Sequence, residues 1–182
     1  MPADLPSETA VEHALRLANE AKATGLIGDY AIAGAFAFIY YCEPFETKGF
    51  DLLVSLTTTP SGLIDLGPIW EHFVAGGAAA ESQFLRVSRL LVDFVPVADA
   101  LDADALAHAV NITVGAQPAR ILTAEHAVAV AVRTARPQDR MKIARLLTSA
   151  PDSLDRTRLD TILEKHGLLL KWQKMQLSLS DQ

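Results

Sequence analysis

The chain has 182 residues, half of them hydrophobic, and a formal net charge of −6 at pH 7. This length allows one domain with a sizeable core, or such a domain with a helical appendage. No apolar run reaches the roughly 18 residues that a membrane-spanning helix needs, so we expect no membrane association of that kind. Because the acidic start does not resemble a signal peptide and Cys42 has no partner cysteine, we expect a cytoplasmic protein.

The charge is unevenly distributed along the chain. Residues 1–132 carry 6 Lys/Arg and 16 Asp/Glu, whereas residues 133–182 carry 10 and 6. The basic part mixes both signs and lacks the interleaved aromatic residues of an RNA-binding platform. A solvated surface is therefore favoured over a nucleic-acid groove, although RNA binding stays open as the minority interpretation.

The first predicted element is a helix from about Ser7 to Thr24, which carries an apolar stripe and ends before Gly25. Thr9 and Glu12 have the spacing of a capping box, and Ser7 is the alternative N-cap one turn earlier.

The next stretch, from Tyr30 to Leu56, organises the rest of the chain. Short β-branched and aromatic runs bounded by Gly and Pro predict a strand at Tyr30–Ala33 and a second strand at Phe50–Leu56. Between them we expect a small-residue turn at Gly34-Ala35, a short apolar helix at Phe36–Tyr41 and a polar loop.

Two features of this stretch indicate a binding site. Gly34 lies where a strand meets a helix, and the unpaired backbone N–H groups at a helix N-terminus favour an anion. Asp51 lies two residues after Gly49, so alternation along the strand places both positions on one face.

The middle of the chain alternates between loops, helices and strands. The prediction, in chain order, is a loop at 57–62, a helix at Ile64–Ala75 with a possible break at Gly67-Pro68, strands at Phe84–Val87 and Leu90–Val97, a helix at Asp102–Val110, and short segments at Ile112–Val114 and Ala119–Leu122. The two strands form either a hairpin turning at Ser88-Arg89 or one long bent strand.

From Thr123 onward the chain is predicted to be helical. Thr123 is a plausible N-cap, Pro137 has the position of a first helical residue, and Pro151 is a helix breaker. We expect helices from Thr123 to Thr134, from Pro137 to Ser149 and from Asp155 to His166, and a final segment at Leu168–Leu177. This change of pattern predicts an α/β core at 1–122 and a helical region at 123–182.

Asp93 is the second residue of chemical interest. It is a lone carboxylate inside the apolar strand at Leu90–Val97, where an acid is costly unless it is paired or bound to metal. Turn capping or pairing with an arginine is the alternative for both Asp93 and Asp51.

Two motifs in the Tyr30–Leu56 stretch resemble the nucleotidyltransferase fold, especially the bacterial branch that includes abortive-infection and toxin-type nucleotidyltransferases. That branch reads Gly-Gly-x-Ala and then Arg-x-Thr-x-Asp-hydrophobic-Asp-hydrophobic. Here the first motif is Gly34-Ala35-Phe36-Ala37, and the second occupies residues 45–52. Phe45 stands where the arginine is usual, and Gly49 stands where the first metal-binding aspartate is usual.

The helical part extends the resemblance to about Trp172. Residues 119–126 resemble the family's strand-then-helix segment, and Arg136-Pro137-Gln138-Asp139 resembles its Arg-Pro-x-Asp motif. The family usually carries a phosphate-gripping lysine between them, but that position is Ala131 here. A salt bridge at the helix start is the alternative interpretation of Arg136 and Asp139, and it is slightly favoured.

The resemblance implies an α+β fold in which a mixed β-sheet is flanked by helices and followed by a C-terminal helical bundle. In such a fold, carboxylates hold Mg²⁺ at a nucleoside triphosphate. It implies catalytic and metal-binding roles for Asp51 and Asp93, and nucleotide binding by Gly34, Ala35, Thr47 and Lys48.

This chain departs from the family's motifs at positions that are usually polar, so we expect catalysis to be lost or weakened. We expect the protein to bind a nucleotide or a protein partner. A homo-oligomer is also open. The alternative is an active Mg²⁺-dependent nucleotidyltransferase, in which Glu43 or Glu46 would have to reach the space beside Gly49.

The remaining candidate residues carry weaker signals. No two of His72, His108, His126 and His166 have local zinc-ligand spacing, so surface or capping roles are favoured and a zinc site assembled from distant parts stays open. Cys42 lies beside two tyrosines and is interpreted as a packing residue rather than a nucleophile.

Overall fold

The computed structural model describes residues 8–56 and 64–180. The helices are α1 (Ala10–Ala23), α2 (Gly34–Tyr41), α3 (Gly67–Ala75), α4 (Ala100–Ala107), α5 (Ala124–Thr134), α6 (Pro137–Ser149), α7 (Arg156–Lys165) and α8 (Leu169–Ser180). The strands are β1 (Tyr30–Ile32), β2 (Gly49–Val54), β3 (Ala79–Glu81), β4 (Phe84–Val87), β5 (Leu90–Pro96), β6 (Val110–Val114) and β7 (Gln117–Ile121). A short 3₁₀ turn at Pro151–Ser153 separates α6 from α7.

The described strands form one mixed sheet in the order β3-β4-β5-β2-β1-β7-β6. Strand β2 pairs in parallel with β5 and antiparallel with β1, and β1 pairs in parallel with β7. The sheet with its flanking helices confirms the predicted α+β class.

Alternation along β5 assigns its two faces to different helices. Phe94 packs edge-on against Phe73 of α3, with ring centroids 5.0 Å apart. Asp93 and Val95 face the other way and line a cavity together with Ala127 and Ala131 of α5. The face that carries Asp93 is therefore the one that helix α5 covers.

Local cap chemistry explains most helix boundaries. Thr9 and Glu12 form the predicted capping box at α1, whereas the alternative cap, Ser7, lies outside the described residues. Thr123 caps α5 by accepting a hydrogen bond from the His126 N–H, and Pro137 occupies the first turn of α6. These boundaries follow from residues adjacent in sequence, which is why the sequence predicts them.

Several predicted boundaries were wrong. Helix α2 begins at Gly34 rather than Phe36, and α4 begins at Ala100 rather than Asp102, because Asp99 is its N-cap. The suspected break at Gly67-Pro68 is instead the start of α3, where Pro68 fits the first turn.

The predicted strands at Phe84–Val87 and Leu90–Val97 correspond to β4 and β5, which ends at Pro96. The segments predicted at Ile112–Val114 and Ala119–Leu122 correspond to β6 and β7, which each begin two residues earlier. Strands β4 and β5 form an antiparallel hairpin in which Ser88 takes a φ of 56°, which settles the choice against one bent strand. Strand β3 was not predicted, and the loop predicted at 57–62 lies outside the described residues. None of the described helices has the length and apolar character required to cross a membrane.

Candidate functional site

Two carboxylates lie side by side on the central strands. Asp51 of β2 is the direct register partner of Asp93 of β5. Partners on parallel strands project to the same face, and such strands run about 4.8 Å apart. Among the described residues, no hydrogen-bond donor reaches either carboxylate. The sheet therefore presents an adjacent pair of acids without neutralising hydrogen bonds.

The surroundings of this pair disfavour its negative charge. Burial raises the pKa of Asp51, the charge of Asp93 raises it further, and the nearby cations of Lys142 and Arg136 offset only part of this. Burial also raises the pKa of Asp93. A cation placed between the two carboxylates would relieve both effects.

Gly34 brings the N-terminus of α2 against Asp51. Its φ is +55°, and a Cβ on this residue would lie 1.7 Å from Oδ2 of Asp51. The backbone N–H of Ala33 also donates to the carbonyl oxygen of Asp51 at 2.9 Å. No side chain caps the first turn of α2, so its N–H groups remain available to an anion. Only glycine allows this approach.

A cleft opens beside the carboxylate pair in two compartments. The first, of about 470 Å³, is lined by the predicted residues Ala35, Thr47, Gly49 and Asp51. The second, of about 320 Å³, contains Asp93 and is lined also by Gly34, Arg136 and Asp139. Asp51 and Lys142 line both compartments, so the two adjoin at the carboxylate pair.

The contacts of Asp139 lie at the start of α6. Its buried carboxylate accepts hydrogen bonds from the Thr134 hydroxyl at 2.6 Å and from the Arg136 backbone N–H at 3.2 Å. It also holds Lys142 through a 3.0 Å ion pair. The helix-start interpretation of Asp139 therefore agrees with its contacts, while the Arg136 side chain is exposed at the second compartment.

Helix α6 supplies cations that the sequence motifs lack. Lys142 and Arg145 both line the first compartment, and the guanidinium of Arg145 lies over the ring of Phe45 at 5.3 Å from its centroid. Arg145 thus lies beside Phe45, the position where the resembled family carries an arginine. Lys142 lines the second compartment together with Ala131, the position where that family carries a lysine. Sequence reasoning missed both cations. The i, i+4, i+7 spacing of Gln138, Lys142 and Arg145 on one helix face was the available signal.

Lys48 is the predicted site residue that lies apart from the cleft. Its side chain is exposed, and it lines neither compartment. Its backbone carbonyl accepts a hydrogen bond from Leu91 at 2.8 Å, which connects β2 to β5. Its neighbour Thr47 does line the first compartment.

The space at Gly49 is open. A Cβ there would meet only Oδ1 of Asp51, at 3.9 Å, and Gly49 is not one of the positive-φ glycines. Glu46 lines the same compartment, whereas Glu43 lines a separate groove. Within residues 8–56 and 64–180, no third Asp, Glu, His or Cys lies close enough to complete a three-ligand group with Asp51 and Asp93.

Comparison with known proteins supports the fold. The chain is similar to an antigenic nucleotidyltransferase-like protein from Paracoccidioides brasiliensis, with 12% identity, 97% of this chain and 94% of that chain covered, and a TM-score of 0.52. It is also similar to the solution structure of the antibiotic-resistance factor ANT(2'')-Ia, with 14% identity, 94% of this chain and 98% of that chain covered, and a TM-score of 0.52. No family model and no curated protein matches its sequence. The chain has a nucleotidyltransferase-like fold.

Proposed function

We propose that the cleft binds a nucleoside triphosphate together with one divalent metal ion, and that nucleotidyl transfer is weakened or lost. The observation that carries this proposal is the carboxylate pair Asp51 and Asp93, adjacent in register, short of hydrogen bonds and facing a helix N-terminus.

The residues present fit a magnesium ion. Mg²⁺ prefers oxygen ligands, keeps several waters, and is commonly bound by one or two carboxylates together with substrate phosphates. Asp51 and Asp93 provide such a pair, and burial raises the pKa of both carboxylates, an effect that a bound cation would offset. When bound there, the ion would neutralise part of the phosphate charge.

The phosphate groups would be bound by this chain's own donors. Lys142 and Arg145 line the first compartment, and the first turn of α2, which no side chain caps, begins at Gly34 beside Asp51. A triphosphate extending from the carboxylate pair toward α6 would meet the positive charges of Lys142 and Arg145. We assign the phosphate-binding role of the family's missing lysine and arginine to these α6 side chains.

The missing third carboxylate supports weakened transfer. Two-metal phosphoryl chemistry needs enough acidic ligands to hold both ions, one at the attacking and one at the leaving oxygen. Gly49 removes one ligand, and the described residues do not bring another into the group. We therefore expect the protein to bind a nucleotide but to transfer its nucleotidyl group slowly or not at all. Glu46, which lines the compartment beside Gly49, favours the alternative of an active nucleotidyltransferase.

Titration calorimetry tests the binding proposal directly. ATP, GTP, CTP and UTP would each be titrated into the wild-type protein and Asp93→Asn, with and without Mg²⁺. We expect at least one nucleotide to bind in an Mg²⁺-dependent manner, and Asp93→Asn to lose that dependence. The matched control is Glu43→Gln, whose carboxylate lines a separate groove. Equal binding by wild type and Asp93→Asn would refute the proposal.

A turnover assay separates the weakened protein from the active alternative. Pyrophosphate release would be followed with each nucleoside triphosphate and Mg²⁺, using the wild type and Glu46→Gln. We expect no release above background from the wild type. Release by the wild type that Glu46→Gln abolishes would instead establish the active enzyme, with Glu46 as its third carboxylate.

A further inference from the structure

A second cluster of metal-ligand side chains lies on helices α4, α5 and α7. Asp104 belongs to α4, His108 is its C-cap, His126 lies in the first turn of α5, and His166 is the C-cap of α7. One donor atom from each of Asp104, His108 and His126 lies within 4.8 Å of the others. We propose that these three residues form a Zn²⁺ site, separate from the cleft, with His166 hydrogen-bonded to Asp104 beside it.

His126 provides the strongest indication. It is 1% exposed, and its Nε2 is a buried nitrogen without a hydrogen-bond partner among the described residues. This nitrogen lies 3.7 Å from Oδ2 of Asp104, which is too far for a hydrogen bond. A buried polar atom left unpaired is costly, so a native protein normally supplies a partner.

The hydrogen bonds of His126 favour a metal as that partner. Its Nδ1 lies 2.9 Å from the Thr123 hydroxyl oxygen, which also accepts the His126 backbone N–H. With Nδ1–H donating to Thr123, Nε2 carries a lone pair directed at the Asp104 carboxylate. In this tautomer a cation between the two acceptors would satisfy both, whereas the opposite tautomer would direct Nε2–H at the carboxylate, 3.7 Å away.

His108 has the same arrangement of ligating and anchoring nitrogens. Its Nδ1 donates to the backbone carbonyl of Asp104 at 2.9 Å, which leaves the lone pair on Nε2. Metal-binding histidines usually anchor their second nitrogen in this way. Its ring stacks on His126 with centroids 5.4 Å apart, and the side chain is 55% exposed.

Asp104 is held as a carboxylate by two neighbours. Lys165 Nζ lies 2.9 Å from Oδ1, and His166 Nε2 lies 2.9 Å from Oδ2. These contacts keep the pKa of Asp104 well below its ordinary value. Lys165 supplies the positive charge in the metal-free protein, and its exposed side chain can move away. Removing this lysine should therefore strengthen metal binding, which a purely structural role of the cluster would not predict.

The donor set selects the kind of metal. Imidazole nitrogens with one carboxylate suit Zn²⁺ and Co²⁺, whereas Mg²⁺ prefers oxygen ligands throughout. Bound Zn²⁺ would connect α4 and α5 and reach the end of α7 through His166. The site would thus stabilise the attachment of the later helices to the region of α4.

The test uses the full chain after treatment with a chelator. Zn²⁺ is titrated by calorimetry, and Co²⁺ is followed by its visible absorption, in the wild type, His108→Ala, Lys165→Met and Asp93→Asn. We expect one Zn²⁺ per chain and no competition by Mg²⁺. His108→Ala should weaken binding about tenfold or more, Lys165→Met should tighten it, and Asp93→Asn should leave it unchanged.

Three results would overturn the proposal. They are no Zn²⁺ binding by the wild type, equal affinities in the wild type and His108→Ala, and loss of binding in Asp93→Asn, which would place the ion in the cleft. His108 and Lys165 are exposed, so we expect both variants to fold with the packing of the core unchanged. Failure of the nucleotide titration would leave the zinc result unaffected, since the two sites share no residue.

Discussion

Gly34 and Gly49 show how single residues shape the cleft. Gly34 has a positive φ and no room for a Cβ, because Asp51 occupies that space. Gly49 has neither restriction, and the space beside it is open. The first glycine is therefore required by geometry, whereas the second marks a position where a side chain can be added.

We predict that Gly34→Ala destabilises the fold and weakens nucleotide binding. Left-handed strain together with displacement of Asp51 should lower the free energy of unfolding by about 2–4 kcal/mol. Gly25→Ala is the matched control, because Gly25 has a φ of +78° but a Cβ on this residue would meet nothing within 4 Å. Strain alone should cost this control about 1 kcal/mol, measured by urea denaturation. Equal losses in both variants would argue against the contact with Asp51.

We predict that Gly49→Asp strengthens Mg²⁺-dependent nucleotide binding about tenfold, or ~1.4 kcal/mol. The added carboxylate would project beside Asp51 and complete the acidic group. Without metal, the same charge should destabilise the fold, because it adds repulsion to a desolvated pair. Gly49→Asn, of equal size and without the charge, is the control in calorimetry. A folded Gly49→Asp with unchanged affinity would show that residue 49 is not a lost ligand.

The elements around the cleft bring together groups that are distant in sequence. Parallel pairing of β2 with β5 sets Asp51 beside Asp93, and α6 packs so that Lys142 and Arg145 face them. Burial raises the pKa of both carboxylates, and perturbed pKa values in a cleft are a feature by which candidate binding sites are recognised.

We predict that Asp51→Asn stabilises the metal-free protein at neutral pH. Because the pKa of Asp51 is raised above 3.8, the folded state holds this proton more tightly than the unfolded chain does. The stability that the protonated Asp51 contributes is therefore lost as pH rises through the raised pKa. The higher stability of Asp51→Asn relative to the wild type should disappear as pH approaches 4. Thermal melts across pH measure this, with the exposed Asp160→Asn as control. A lower melting temperature for Asp51→Asn at pH 7.5 would contradict the assignment.

We predict that Lys142→Met weakens triphosphate binding about tenfold, or ~1.4 kcal/mol, while the aliphatic part of the side chain keeps its packing. Arg140→Met is the matched control, since Arg140 lies on the same helix but lines a different groove. Calorimetry with the best-bound nucleotide compares the two. If both substitutions reduce affinity equally, a general loss of positive charge explains the effect and Lys142 has no specific role.

Local signals made part of this structure predictable from sequence. The caps Thr9 and Thr123 and the proline at α6 fixed helix starts, and the isolated acid in an apolar strand identified Asp93. Strand β3 was missed because Ala79–Glu81 is exposed and small, and is defined only by pairing with β4. The α6 cations and the histidine cluster were missed because helix packing, which leaves no local pattern, brings them into place.

At the scale of the whole molecule, the uneven charge reflects contacts between the two parts of the chain. Arg133 pairs with buried Asp102 at 2.8 Å, and Lys165 pairs with Asp104 at 2.9 Å. Basic residues after 132 thus pair with acids before it, and Lys142 faces the Asp51 side of the cleft in the same way. These contacts pair part of the basic C-terminal charge with acids earlier in the chain.

The most direct test of the proposed cleft is anomalous diffraction from crystals grown with Mn²⁺ and a non-hydrolysable nucleoside triphosphate. Mn²⁺ replaces Mg²⁺ at oxygen ligands and is located by its anomalous signal. We predict one Mn²⁺ peak between the carboxylates of Asp51 and Asp93, with the phosphates extending toward Lys142. A bound nucleotide whose metal lies elsewhere, or a cleft without Mn²⁺ at concentrations that saturate binding in solution, would contradict the account.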